Sequence, residues 1–135
     1  MRIFLDANIL FSAAKSKGAV RQLLEQLIRA GHDCCVDGYV LEEARRNLAL
    51  KAPQGLTVLE ALLVEMHLAP AQPGDATLEA ALPLPENDRP VLAAAIRQRC
   101  AALVTGDRPH FGRHYGKTVH RVTIHSPRSI AETLL

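Results

Sequence analysis

Tryptophan is absent from this 135-residue chain, and only three Phe and two Tyr accompany its aliphatic residues. So few flat side chains argue against a surface that holds single-stranded bases by stacking. Cysteine is scarce too. Cys34, Cys35 and Cys100 are odd in number and lack metal-ligand spacing, which argues against a disulfide scaffold and a zinc ribbon. Reduced, mostly buried thiols in a cytosolic protein are the simplest reading. No apolar run is long enough to span a bilayer. The chain enters a strand at Arg2 with no basic leader or cleavage site, so a cytoplasmic protein without membrane attachment is expected. There is also no glycine-rich phosphate loop, and no Ser or Cys in the setting of a nucleophile.

Apolar residues make up 48% of the chain, enough for one core, and a single domain over residues 1–135 is expected. The net charge is only +2 but is unevenly spread. Residues 97–128 hold seven Arg or Lys against one acid, Asp107, with His110, His114, His120 and His125 among them. A basic region suits a polyanionic substrate, and Arg108, Arg113 and Lys117 are its candidates for contacting that substrate. A solvated charged surface has the same composition.

Hydrophobic periodicity sets out the elements. Strands are expected at residues 2–5, 32–36, 67–69 and 102–105, with a weaker fifth at 117–124. Helices are expected at 9–14, 19–30, 39–51, from 56 onward, 75–81, 89–99 and from Ser126-Pro127 to the terminus. In the second helix Val20, Leu23, Leu24, Leu27 and Ile28 share one stripe, with Arg21, Glu25 and Arg29 outside it. Alternating strands and helices predict a three-layer α/β/α domain of Rossmann-like topology, with a mainly parallel sheet of four to five strands.

Four acids stand where this apolar pattern breaks. Asp6 follows Ile3-Phe4-Leu5, and Asp107 follows Leu103-Val104-Thr105-Gly106. Both are read as carboxylates at strand ends, where open α/β sheets place ligands. Each also suits a helix cap or turn. Asp88 opens a helix on the side of Val91, Leu92 and Ala95, and serves as an N-cap, a site residue or both. Helix register separates Glu43, on the edge of the Val40, Leu41, Ala44, Leu48 face, from Glu42, which points to solvent and can pair with Arg45 or Arg46. Asn8 suits a hydrogen-bonding neighbour of Asp6, and Thr105 can bond a ligand or a carboxylate. Two carboxylates about 4 Å apart repel by roughly 4 kcal/mol at an effective dielectric of 20, so four converging acids call for a cation. Oxygen-only ligands favour Mg²⁺ or Mn²⁺.

The segments Ile3-Phe4-Leu5-Asp6-Ala7-Asn8-Ile9-Leu10, Leu41-Glu42-Glu43-Ala44-Arg45-Arg46-Asn47-Leu48, Asn87-Asp88-Arg89-Pro90-Val91-Leu92 and Leu103-Val104-Thr105-Gly106-Asp107 resemble the PIN-domain nucleases in order and spacing. The resemblance implies a parallel sheet flanked by helices. It implies Asp6, Glu43, Asp88 and Asp107 as catalytic, metal-binding acids, supported by Asn8 and Thr105, with Mg²⁺ or Mn²⁺ as cofactor. An RNA substrate cleaved to a 5′-phosphate and a 3′-hydroxyl is implied as well. VapC-type toxins of this family pair with antitoxins and commonly dimerise, so an antitoxin partner and a homodimer are further expectations. The His- and Arg-rich segment 109–127 exceeds what a minimal member needs.

Two other functions compete. One is a non-catalytic PIN-fold module that binds RNA or protein. The other is a small-molecule phosphatase, although Asn8 stands where aspartyl-phosphate enzymes of the HAD type carry a second Asp. His110 and His114, at i,i+4, form a further metal-pair candidate, interrupted by Gly112.

Overall fold

In a computed structural model covering residues 1–135, the apolar run Arg2–Leu5 becomes strand β1, with Ile3, Phe4 and Leu5 fully buried. Helix α1 (Ala7–Lys15) follows at once, capped by the Asp6 side chain. Helix α2 (Ala19–Arg29) buries Leu23, Leu24 and Leu27, and Gly31 ends it at φ +87°, a conformation natural to glycine. Strand β2 (Asp33–Asp37) runs into α3 (Gly38–Lys51), where Asp37 accepts from the Val40 N–H at 3.0 Å. Then come α4 (Gly55–Leu63), β3 (His67–Ala69), α5 (Ala76–Ala80) and, after a 3-10 turn at Glu86–Asp88, α6 (Arg89–Arg97). Strand β4 (Ala102–Val104) leads to the short α7 (Arg108–Phe111) and a 3-10 turn at Gly112–His114. The chain closes with β5 (Thr118–Val119), β6 (Val122–His125) and α8 (Pro127–Leu134).

The sheet has six strands in the order β3-β2-β1-β4-β6-β5, parallel except for the β5–β6 pair. This exceeds the four to five expected, because residues 117–124 are not one strand. They fold into a hairpin whose turn residues His120 and Arg121 both take positive φ, 46° and 72°. Such a two-residue turn normally signals itself with Asn-Gly or Asp-Gly, and here the signal is missing. Helix α6 also stops at Arg97, two residues short of expectation, because Arg99 enters the left-handed region at φ 57°.

Helices cover both faces of the central strands, and 35 buried apolar residues form one cluster. Helix α1 packs against α2, α3 and α4. Gly55 permits the close approach of α4: a Cβ there would lie 2.8 Å from the Ala14 carbonyl oxygen. Arg21, read from sequence as solvent-facing, turns back to α1. Its Nε and Nη2 donate to the carbonyls of Ala13 (2.7 Å) and Ala14 (3.1 Å), which the end of α1 leaves available. Arg45 pairs with Glu60 at 2.7 Å rather than with Glu42. No helix is long and apolar enough to cross a membrane.

Candidate metal centre

The chain order reverses between β1 and β4, and a crevice opens beyond the carboxyl ends of strands at such a point. Asp6 leaves β1 there, and Thr105-Gly106-Asp107 leaves β4. Asp6 is only 5% exposed. Its Oδ1 accepts from the Ala7 N–H at 2.7 Å. Its Oδ2 accepts from the Thr105 hydroxyl at 2.8 Å and from Asn8 Nδ2 at 3.1 Å. Burial pushes the Asp6 carboxyl up to about 6; the Thr105, Ala7 and Asn8 hydrogen bonds hold it down, and the Glu43 charge adds to the rise.

Asn8 and Thr105 join the two strand ends. Asn8 Oδ1 accepts from the Gly106 N–H at 2.7 Å, and Thr105 Oγ1 accepts from the Asp107 N–H at 3.2 Å. Gly106 keeps this junction tight, since a Cβ there would sit 3.3 Å from Asn8 Oδ1. Its role is therefore close approach. The segment beyond Pro109 buttresses the same junction: the Tyr115 hydroxyl donates to the Thr105 carbonyl at 2.8 Å.

Glu43 is half-buried on α3, whereas Glu42 is exposed, as the helix register predicts. Glu43 lines an open cleft of about 440 Å³ with Asn8, Phe11, Asn47, Lys51 and Asp107. Lys15 and Lys51 both place their ammonium groups within 6 Å of the Phe11 ring, at 5.7 and 5.9 Å.

Asp88 occupies the N-cap position of α6, yet its side chain makes no capping bond. Its Oδ2 is buried with no hydrogen-bond partner, and its Oδ1 lies 3.6 Å from His110 Nδ1. Burial raises the Asp88 carboxyl pKa; His110 opposes that rise and the Asp107 charge adds to it. Asp107 Oδ1 caps α7 through the His110 N–H at 3.3 Å, and Asp107 Oδ2 meets the His110 ring at 2.8 Å. The His110 pKa is raised, chiefly by that hydrogen bond to Asp107. Ligand atoms of Asp88, Asp107 and His110 all fall within 4.8 Å of one another.

Of the four expected acids, Asp88 and Asp107 are brought together, Glu43 shares a cleft with Asp107, and Asp6 is tied to Asp107 through Thr105. The donor set fits a divalent cation. A buried carboxylate oxygen without a partner, beside other carboxylates and with Asp6 held near pKa 6, is what a cation would relieve. The basic candidates are more scattered. Arg113 lines a second cleft with Arg89, His110 and His114, which shares Pro109 with the first, while Arg108 and Lys117 line neither cleft. His110 and His114 do not form the helical pair considered from sequence. Helix α7 ends at Phe111; His114 is buried in the following turn, and His110 turns to the acids. Sequence reasoning singled out His110 but paired it with His114, and missed its place beside Asp88 and Asp107. The Asp-x-x-His spacing, which lets a side chain return to its own N-cap, was the signal available.

A family model described as PIN domain matches residues 2–109. No curated protein matches the chain. Among solved structures, the fold is similar to VapBC2 from Rickettsia felis bound to a DNA fragment from its promoter. That match has 18% identity and a TM-score of 0.66, and covers 93% of this chain and 98% of that one. It is also similar to FitAcB from Neisseria gonorrhoeae, with 17% identity, a TM-score of 0.63 and the same two coverages.

Proposed function

The chain belongs to the PIN-domain family, and from that premise we propose that it is a Mg²⁺- or Mn²⁺-dependent endoribonuclease. The observation that supports this reading is the close approach of Asp88 and Asp107, with Glu43 in the same cleft as Asp107, Asp6 tied to Asp107 through Thr105, and a buried Asp88 oxygen that no protein group satisfies. Asp88 and Asp107 would hold the ion directly, with Asp6 and Glu43 completing the acidic wall. A divalent ion bound there supplies water activation and charge stabilisation for in-line phosphodiester hydrolysis. Thr105 and Asn8 fix the Asp6 carboxylate through hydrogen bonds, so it need not reorganise during the reaction.

The substrate strand has a path past this wall. The cleft bearing Phe11 and Lys51 and the cleft bearing Arg89 and Arg113 share Pro109. A phosphate backbone crossing both would pass Glu43 and Asp107 in the first cleft and His110 in the second. Lys51 joins Arg113 as a backbone contact, ahead of Arg108 and Lys117.

Similarity to VapBC2 and FitAcB supports the finer reading of a toxin paired with an antitoxin protein. A homodimer and a cytoplasmic location belong to the same proposal, the latter supported by three buried, unpaired thiols.

The test is RNA cleavage with Mg²⁺ or Mn²⁺ by the wild type and Asp6→Asn. Loss of cleavage in a folded variant is expected, and full activity would sink the reading. Metal binding without turnover on a broad RNA panel would favour a non-catalytic binding module. Hydrolysis of a small phosphomonoester, with RNA inert, would favour a phosphatase.

A further inference from the structure

We propose that His110 is a direct ligand of this centre, which makes it a mixed nitrogen–oxygen site that favours Mn²⁺ over Mg²⁺. The inference rests on the metal-dependent reading above and adds a residue and a selectivity to it.

Three observations carry it. First, the Asp107 turn returns the His110 ring to the same carboxylate that caps the turn. Nδ1 lies 2.8 Å from Asp107 Oδ2, and the backbone N–H donates to Asp107 Oδ1. Second, the ring also faces Asp88, at 3.6 Å from Oδ1, so it stands between the two carboxylates where one cation could touch all three residues. Third, Asp88 Oδ2 remains buried and unbonded with His110 in place, so the histidine alone does not complete the site.

The ring can exchange its hydrogen bond for a metal bond at little cost in packing. Its side chain is 53% exposed. Pro109 fixes the backbone φ just before it. Neighbouring elements face it with Asp88, Asp107, Arg89, Arg113 and His114.

The chemistry then departs from an all-carboxylate centre. Carboxylates suit Mg²⁺, Ca²⁺ and Mn²⁺ alike, whereas imidazole suits transition metals. Mg²⁺ keeps most of its water and gains little from an imidazole. One nitrogen donor therefore raises Mn²⁺ affinity more than Mg²⁺ affinity. His110 also lies just past the residues matched by the family model, which end at 109.

The experiment is calorimetric titration of the full chain with Mn²⁺ and with Mg²⁺, without RNA, for the wild type, His110→Gln and His110→Ala. Pulsed electron paramagnetic resonance of bound Mn²⁺ accompanies it. The expected result is a loss of Mn²⁺ affinity of at least about tenfold in both variants. A smaller loss for Mg²⁺ and a ¹⁴N coupling that disappears with the histidine are also expected. An unchanged Mn²⁺-to-Mg²⁺ ratio, a gain in affinity on removing the ring, or no ¹⁴N coupling in the wild type overturns the proposal. If the wild type binds neither ion, this proposal and the metal-dependent reading fall together. If it binds Mn²⁺ and cleaves RNA with no nitrogen ligand, only this proposal falls. If the nitrogen ligand is present but RNA is not cleaved, only the nuclease reading falls.

Discussion

The Thr105 hydroxyl donates to Asp6 Oδ2 across 2.8 Å, joining two residues that are 99 positions apart in sequence. Parallel pairing of β1 with β4 places them side by side. The same hydroxyl oxygen accepts the Asp107 N–H, so one side chain positions two of the four acids.

Thr105→Val tests this link. The hydroxyl is lost, Asp6 Oδ2 keeps only Asn8, and the Asp107 N–H loses its partner. Stability should fall by about 1–3 kcal/mol, the cost of leaving buried polar groups unpaired. Mn²⁺ affinity should fall by about tenfold to a hundredfold, as for other groups that orient metal ligands. Denaturant unfolding and calorimetry check both. Undiminished metal affinity would show that Thr105 does not orient the acids. Thr105→Ser, which keeps the hydroxyl, should recover most of the affinity.

The Asp6 carboxyl sets a pH dependence in the metal-free chain. Unfolded, it titrates near 3.8; folded, near 6. Between those values the folded state binds more protons, so stability is greatest below pH 3.8 and is lost as pH rises through 6. The loss is about 3 kcal/mol at 1.36 kcal/mol per pH unit. Asp6→Asn avoids this charge but weakens a hydrogen bond worth about 1 kcal/mol. The variant should therefore be less stable than wild type at pH 4 and more stable, by about 2 kcal/mol, at pH 7.5. Thermal unfolding of both proteins across this range is the check, and a difference that stays constant with pH would contradict it. Saturating Mn²⁺ should reverse the order at pH 7.5, because the ion binds the folded wild type.

Lys51 tests the path of the substrate strand. It shares a cleft with Glu43 and Asp107 and stands in the last turn of α3. Lys51→Ala should weaken single-stranded RNA binding in the inactive Asp6→Asn background. The slope of log affinity against log salt should become shallower by about 0.7, the value for one lost phosphate contact on a single strand. Metal affinity should not change. An unaltered salt slope would remove the Lys51 cleft from the strand path.

Much of this architecture is written in short-range pattern. The buried run before Asp6, the stripe of α2 and the proline-opened start of α6 each report their own element, because apolar periodicity is a local consequence of which face meets the core. The different placements of Glu43 and Glu42 were legible for the same reason: helix register turns one toward the cleft and the other to solvent. The hairpin at His120-Arg121 was not legible, since two ordinary residues hold positive φ there only because β6 pairs with β4 and fixes the return.

The sequence by itself determined the alternation of strands and helices, the strand-end positions of Asp6 and Asp107, and a family pattern that spans residues 2–109. Tertiary structure alone decided that Thr105 ties Asp6 to Asp107, that Asp88 leaves a buried oxygen unsatisfied instead of capping α6, and that His110 closes on both carboxylates. Position in an element follows from local periodicity. Which side chain satisfies which buried atom depends on strand order and on the packing of distant segments, and a one-dimensional pattern does not carry that information.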